Sequence, residues 1–363
     1  MKFRPEQLVL ARQRRKFNKS NLAKEIGKTA LSITNYEQGI HEPKPEVVEK
    51  IALVLDFPQS FFFRDLNSEP IPVDAASFRA LSRTSASLRD SALAGGEFCV
   101  VLNNWIESKF ELPLTNLPDL EPGIIDPEGA SIMVRNQWNL GHVPVSNVLH
   151  LLESHGVRVF SLGQECKEID AFSFWRNEVP FILLGVHKTP ERGIFDLAHE
   201  LGHLVLHRHL TKPSGRNEEN EANAFASNFL MPRADVESYG FRYPTFQQLV
   251  DAKARWKVSV AALAYRLHDL KFISDWEYRE LFKKISVLKN REPNSLPREH
   301  SVILSTMMAT MRSEGKKPSD IADESLGTYQ SDLEEFMAGL TMTSVRGGGE
   351  STTPIRPGLR VVS

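Results

Sequence analysis

An α+β fold that is mostly helical, led by a small all-α unit, is what the sequence predicts. Three observations carry this reading. Apolar residues recur at helical spacing over most of the chain, and Gly27 and Gly39 punctuate several brief helices near its start. Only two short runs, Val157–Phe160 and Phe181–Leu184, have the β-branched and aromatic character of strands.

In chain order, Pro5 sits in the first turn of a helix over 5–17, and Asn18-Lys19-Ser20 caps a second holding Leu22, Ala23 and Ile26. Gly27 ends that helix. A third runs from Ala30 to Tyr36, a fourth covers Val47–Leu55 behind Pro43 and Pro45, and Phe61–Phe63 close the small core. Residues 64–78 read as a polar linker, 79–115 as helical, and 116–128, with Pro118, Pro122 and Pro127, as a second boundary. Two helices over 129–156 precede the strands, which turn-like Ser161–Glu168 and Arg176–Glu178 separate. Helices follow at 192–207, at 218–230 up to Pro232, and through 244–288. The tail from Val345, rich in Gly and Pro, has the composition of a disordered segment.

Across 363 residues, a hydrophobic fraction of 41% and a charged fraction of 25% are ordinary for a globular chain with two or three cores. No apolar run approaches a membrane span, and the N-terminus lacks the apolar stretch of a secretory signal. Cys99 and Cys166 are too few for a disulfide framework and read as reduced, partly buried thiols, so a cytoplasmic location is expected. The net charge of −2 hides an asymmetry: residues 1–64 carry 12 Lys and Arg against 7 Asp and Glu, and the remainder carries 32 against 39. A basic first unit on an acidic body points to nucleic acid as the partner of that unit alone.

Two short helices about the turn at Gly27 have helix-turn-helix spacing. The second would present Thr29, Ala30, Leu31, Thr34 and Asn35 to a major groove. Lys19 and Lys28, at helix starts, would hold phosphates together with free backbone N–H groups.

His199-Glu200-Leu201-Gly202-His203 carries the chemistry. On a helix, His199 and His203 lie one turn apart on one face, where both imidazoles reach a single ion. Neutral imidazoles suit zinc and leave room for a third ligand and a water. Glu200, one residue round the helix, would take a proton from that water and pass it to a leaving amine. The surrounding Leu197, Ala198, Leu201, Leu204 and Val205 make the helix a buried one, where two histidines and a glutamate without a metal would be costly. A third ligand from the next helix is expected among Glu218, Glu219 and Glu221. Glu219 shares an inward face with Ala222 and Ala226, Glu218 is in phase with Ala222 and Phe225, and Glu221 points to the side. His207 is in phase too but about 12 Å from His199 along the axis by helix rise, so it reads as structural. Asp196 reads as a helix-start residue.

Residues 8–63 resemble the Cro/repressor-like helix-turn-helix family in Leu22-Ala23, Ser32–Gly39, Pro43, Pro45 and Ala52–Asp56. Where many relatives open the recognition helix with glutamine, this chain has Ala30 beside Leu31. These can touch a thymine methyl but donate no hydrogen bond. Residues of about 130–300 resemble the ImmA/IrrE metallopeptidases. The likeness rests on Ala198–His207, Glu219–Ala226, Phe229–Pro232, Phe172–Trp175, Pro180–Leu184 and Lys253–Leu263. The resemblance implies Glu219 as the third ligand and Asn223 as a support that orients a ligand imidazole. It also implies that Phe181–Leu184 is an edge strand beside the metal, able to accept an extended substrate.

The expected organisation is therefore a helix-turn-helix domain at 1–64, a linker and helical connector at 65–128, a zincin-like metallopeptidase domain at 129–240, a helical region at 241–344 and a disordered tail at 345–363. The resemblance implies one zinc ion per chain, with manganese as a substitute, and a repressor-type protein, or the chain itself, as the substrate. DNA is the expected partner of the first domain, with no membrane association, and a homodimer is expected if that domain reads a two-fold site. The competing expectation is a non-proteolytic regulator or antitoxin-like protein that uses the metal domain to sense or to scaffold. Tyr239, Arg233 and His207 are the sequence neighbours available to stabilise a transition state.

Overall fold

A computed structural model of the chain describes residues 2–66, 69–72, 84–210, 216–289, 291–341 and 360–361. Its N-terminal unit consists of α1 (Pro5–Arg14), α2 (Lys19–Glu25), α3 (Ala30–Glu37), α4 (Pro45–Leu55) and a 3₁₀ turn at Gln59–Phe63. Short polar side chains start the middle helices: Asn18 accepts from Asn21 N at 2.7 Å and Thr29 from Ser32 N at 3.1 Å. Between them Gly27 takes a φ of +67°, which a side chain would oppose. Leu8, Leu22, Ile33, Ile51 and Leu55 fill the core of the bundle. Glu37 pulls the turn together by binding both Arg12 and Lys19.

Helix α5 (Ala86–Glu107) occupies the segment expected to be a connector, and it is the spine of the molecule. Ala92, Ala94, Phe98, Cys99 and Leu102 on it are all buried. Phe98 packs on Phe57 and Phe61 of the N-terminal unit, with centroids 6.0 and 5.9 Å away, and on Phe336 from the far end of the chain at 5.9 Å. The C-terminal helices α14 (Val302–Ser313), α15 (Pro318–Leu326) and α16 (Gln330–Met337) thus return to the N-terminal unit. Buried Arg14 pairs with Glu335 and lies over the Phe336 ring, while Arg15 meets Asp332 at 2.8 Å.

The sheet has three strands, β2 (Arg158–Ser161), β3 (Ala171–Arg176) and β4 (Val179–Leu184), in the order β2-β4-β3. β2 runs parallel to β4, and β3 is antiparallel to it with Ser173 opposite Ile182. Asn177 and Glu178, both at positive φ (+47° and +65°), form the two-residue hairpin turn. The alternation of β3 sends Phe172 and Phe174 towards α5, where Gly96 leaves space for their rings, and Ser173 and Trp175 to the opposite face. Two expectations are corrected here. β3 was not read as a strand, and Phe181–Leu184 is no edge: β4 pairs on both sides and is buried on both faces, which is why its apolar run is unbroken.

On the face opposite α5 lie α8 (Pro190–Leu206) and α9 (Arg216–Leu230), flanked by α6 (Pro127–Gln137) and α7 (Val148–Ser154). A fully buried pair, Lys253 Nζ to Glu191 Oε1 at 2.9 Å, pins the start of α8, and Ser295 and the Leu296 N–H also donate to Glu191. Four further helices follow: α10 (Arg233–Tyr239), α11 (Phe246–Ala252), α12 (Val260–Asp269) and α13 (Asp275–Ser286). Most of the linker expected at 64–78 and of the tail at 345–363 lies outside the described residues. Within the tail, Arg360–Val361 form β5, paired antiparallel with β1 (Phe110–Glu111), so these two residues are not without structure.

Phe98→Ala is expected to cost about 3–5 kcal/mol, because the cavity would open between the N-terminal unit and the rest. Equilibrium chemical denaturation of the full chain would measure this, and a loss below about 1 kcal/mol would contradict the shared core.

Candidate metal centre

Thr189 starts α8, accepting from the Arg192 N–H, and Pro190 fills the first turn. The apolar face of the helix, with Ile194, Leu197, Leu201, Leu204 and Val205, is buried. α9 runs alongside with Ala222, Phe225, Ala226 and Phe229 turned inward. The two helices approach most closely at Gly202, where an added Cβ would lie 3.1 Å from Phe225 Cδ1 and 3.2 Å from Ala222 Cα. Opposite directions of travel set His199 against Asn223 and His203 against Glu219.

Three side chains converge as a result. His199 Nε2 and His203 Nε2 are 3.1 Å apart, and Glu219 oxygens lie 3.6 and 3.5 Å from them. A tetrahedral ion with ligands at about 2.0–2.1 Å has ligand atoms about 3.3–3.4 Å apart, so this triangle fits zinc. Among the described residues, His199, His203 and Glu219 form the one cluster of potential ligands. The alternatives separate accordingly: Glu221 turns to His207 Nε2 at 2.9 Å, and the charge of Glu218 acts on His203 and His207.

Electrostatics suit a cation. Burial, aided by the nearby His203 charge, depresses His199 to about 4, leaving it neutral near pH 7. Burial also opposes charge on His203, but Glu219, Glu200 and Glu218 outweigh it and raise its pKa. Asn223 Oδ1 lies 3.0 Å from His199 Nδ1, so an Nδ1–H donated there leaves Nε2 facing the centre.

Glu200, on the same helix, is 4% exposed, and its charge acts on His203. Its Oε2 accepts from the Ser173 hydroxyl at 2.6 Å. Sequence reasoning missed Ser173. The alternating Phe172-Ser173-Phe174-Trp175 held the signal, since its lone polar residue faces the chemistry. Of the three candidate transition-state residues, His207 touches a potential ligand, His203, at Nδ1 on the far side from the triangle. Tyr239 packs on Phe241 and Trp256, and Arg233 pairs with Glu128 and Glu237 at the surface. Asp196 pairs with Lys188 at 3.1 Å.

In the N-terminal unit, Lys28, Thr29 and Leu31 are exposed, Leu31 by 68%, and Ala30, Thr34 and Asn35 are half-buried on α3. Thr29 doubles as the cap of α3, and Thr34 Oγ1 donates back to Ala30 O at 3.1 Å. Lys19 lies 3.1 Å from Glu37, so part of its charge is already compensated within the domain.

These geometries define the class: a helix-turn-helix domain packed on a domain with a His-Glu-x-x-His helix and a glutamate from the next helix. Residues 10–58 match the helix-turn-helix family, and residues 152–268 match a peptidase family described as the IrrE N-terminal-like domain. The chain thus joins a region similar to the helix-turn-helix family to a region similar to the IrrE N-terminal-like peptidase family. No curated protein matches it. Among the described residues, no helix is long and apolar enough to cross a membrane.

Gly202→Ala tests the helix contact. The new methyl would push α9 outward, costing about 1–3 kcal/mol against the ~1 kcal/mol gained in helix propensity. Zinc affinity, followed by chelator competition, is expected to fall because Glu219 moves with α9. Unchanged affinity would show that the close approach does not set the triangle.

Proposed function

We propose that the chain is a zinc-dependent endopeptidase that controls transcription by cleaving a helix-turn-helix regulator, with its own DNA-binding domain bringing it to the operator. The observation that supports this reading is Glu200: its charge acts on His203 of the His199–His203–Glu219 triangle, and its carboxylate is held by Ser173 on β3.

His199, His203 and Glu219 would hold the zinc, and Asn223 would orient His199. When bound, the ion supplies Lewis acidity for peptide hydrolysis, and manganese is expected to substitute. Glu200 takes the proton of the attacking water and passes it to the departing amine nitrogen, while Ser173 keeps the carboxylate from rotating away. β3 is an outer strand of the sheet, so an extended substrate segment adding to it would run beside Glu200. This role moves from β4, where the resemblance put it, to β3.

The DNA-binding domain presents Lys28, Thr29, Ala30, Leu31, Thr34 and Asn35 to the duplex, with Lys19 at the start of α2. Leu31 and Ala30 offer apolar contact to thymine methyls, and Lys28 offers its ammonium group to phosphate.

Purified full-length protein and its Glu200→Gln variant, each loaded with zinc or manganese, are to be incubated with helix-turn-helix proteins encoded beside the gene. The wild type is expected to cleave one of them, and the variant to be slower by about 10²–10⁴-fold while still shifting operator DNA. If neither cleaves while both shift DNA alike, the chain is a non-proteolytic regulator. In the same binding assay, Lys28→Ala is expected to lower affinity across sequences and to reduce the salt slope by about 1. An unchanged slope would remove Lys28 from the phosphate contacts.

A further inference from the structure

His207 is left without a task by the triangle, yet it is bound at both ring nitrogens. Its Nδ1 lies 2.9 Å from His203 Nδ1, and its Nε2 lies 2.9 Å from Glu221 Oε2. We propose that His207 and Glu221 are positioning residues that hold His203 in its ion-binding tautomer and make its imidazole a stronger ligand; this rests on the zinc-site reading above.

The proton count leaves one arrangement. For His203 to offer a lone pair at Nε2, its remaining ring proton must sit on Nδ1 and needs an acceptor. His207 Nδ1 is that acceptor, so the His207 proton is on Nε2 and is donated to the Glu221 carboxylate. The chain runs from a carboxylate through one imidazole to a second, extending the carboxylate–histidine–metal arrangement by one ring. It also differs from the support of His199, which ends on the neutral amide of Asn223.

Geometry excludes the simpler role of a direct ligand, because His207 meets His203 at Nδ1, the side of the ring away from the Nε2 triangle. His207 is itself well placed to stay put. It is the residue that ends α8, its N–H donating to His203 O at 3.0 Å, and its side chain is 9% exposed. Arg208, next along, stacks on Trp175 at 4.0 Å and pairs with Glu178 and Asp119, which fixes the chain just beyond.

The test uses the full chain with zinc alone, measured by chelator competition, and with cobalt(II) alone, read by its visible d–d bands. His207→Phe is expected to weaken zinc binding about 10–100-fold and to change the cobalt spectrum. His207→Gln, whose amide oxygen can accept from His203 Nδ1, is expected to restore affinity to within about threefold of wild type. Glu221 is half exposed, so Glu221→Ala leaves the fold intact and is expected to weaken binding even if His207→Phe fails to fold. His209→Ala, which removes a histidine bound to Asp119 instead, should change nothing. Wild-type affinity and an unaltered cobalt spectrum in Glu221→Ala and in folded His207→Phe would overturn the proposal and leave the peptidase reading intact. A wild type that binds zinc through this relay yet cleaves no protein would sink the peptidase reading and leave the positioning role standing.

Discussion

The close packing of α8 on α9 at Gly202 is the constraint on which the candidate centre depends. Two histidines one turn apart define a line on a helix, and a tetrahedral site needs a third group beside that line within a few ångströms. Helices normally pack with axes 8–10 Å apart, the distance being set by the side chains between them. With no side chain at 202, Ala222 and Phe225 seat directly against α8, and Glu219 one turn away reaches both imidazoles. Glu200 is turned roughly a quarter of the way round the same helix, so it meets the sheet while the histidines meet α9. One helix thereby serves two walls, with the potential ligands on one and the carboxylate tied to Ser173 on the other.

That helix is held in place from beneath. The sheet lies between α8 and α5, with Phe172, Phe174 and Phe181 filling the side nearer α5 and Ser173 and Trp175 meeting α8. At the start of α8, the buried Lys253–Glu191 pair and its added donors leave Glu191 little room to move. Such a pair is a weak source of net stability, because both ions lose their hydration. It is a strong source of position, since breaking either half would leave a charge buried alone.

The DNA-binding unit belongs to the same packed body. Phe57 and Phe61 reach Phe98 on α5, Phe336 closes the group from α16, and Arg14 and Arg15 bind acids on that last helix. A charge asymmetry in the sequence suggested separate duties for the two parts. Aromatic packing keeps them from being separate bodies, so the orientation of the centre relative to α3 is set by the fold.

Local pattern was enough for much of this. The helix-turn-helix elements, the motif helix and the helix bearing Glu219 are legible because caps, glycine turns and i, i+4 spacing act within a few residues. The placement of His199 and His203 on one helix face was legible for the same reason. What failed was long-range. β3 went unread since its six residues lack a solvent face, and β4 was placed at an edge that only its pairing with β2 and β3 excludes. Glu219 could be separated from Glu218 and Glu221 by resemblance but not by phase, because three glutamates within one turn differ mainly in what the neighbouring helix presents to them. The contact of His207 with Glu221 depends on how α9 packs against α8, which no local pattern records. The sequence by itself determined which groups could serve as metal ligands and which the helix-turn-helix unit could present to DNA. The tertiary structure decided which of them meet, because contacts between separate helices and strands follow from packing distances that no local period records.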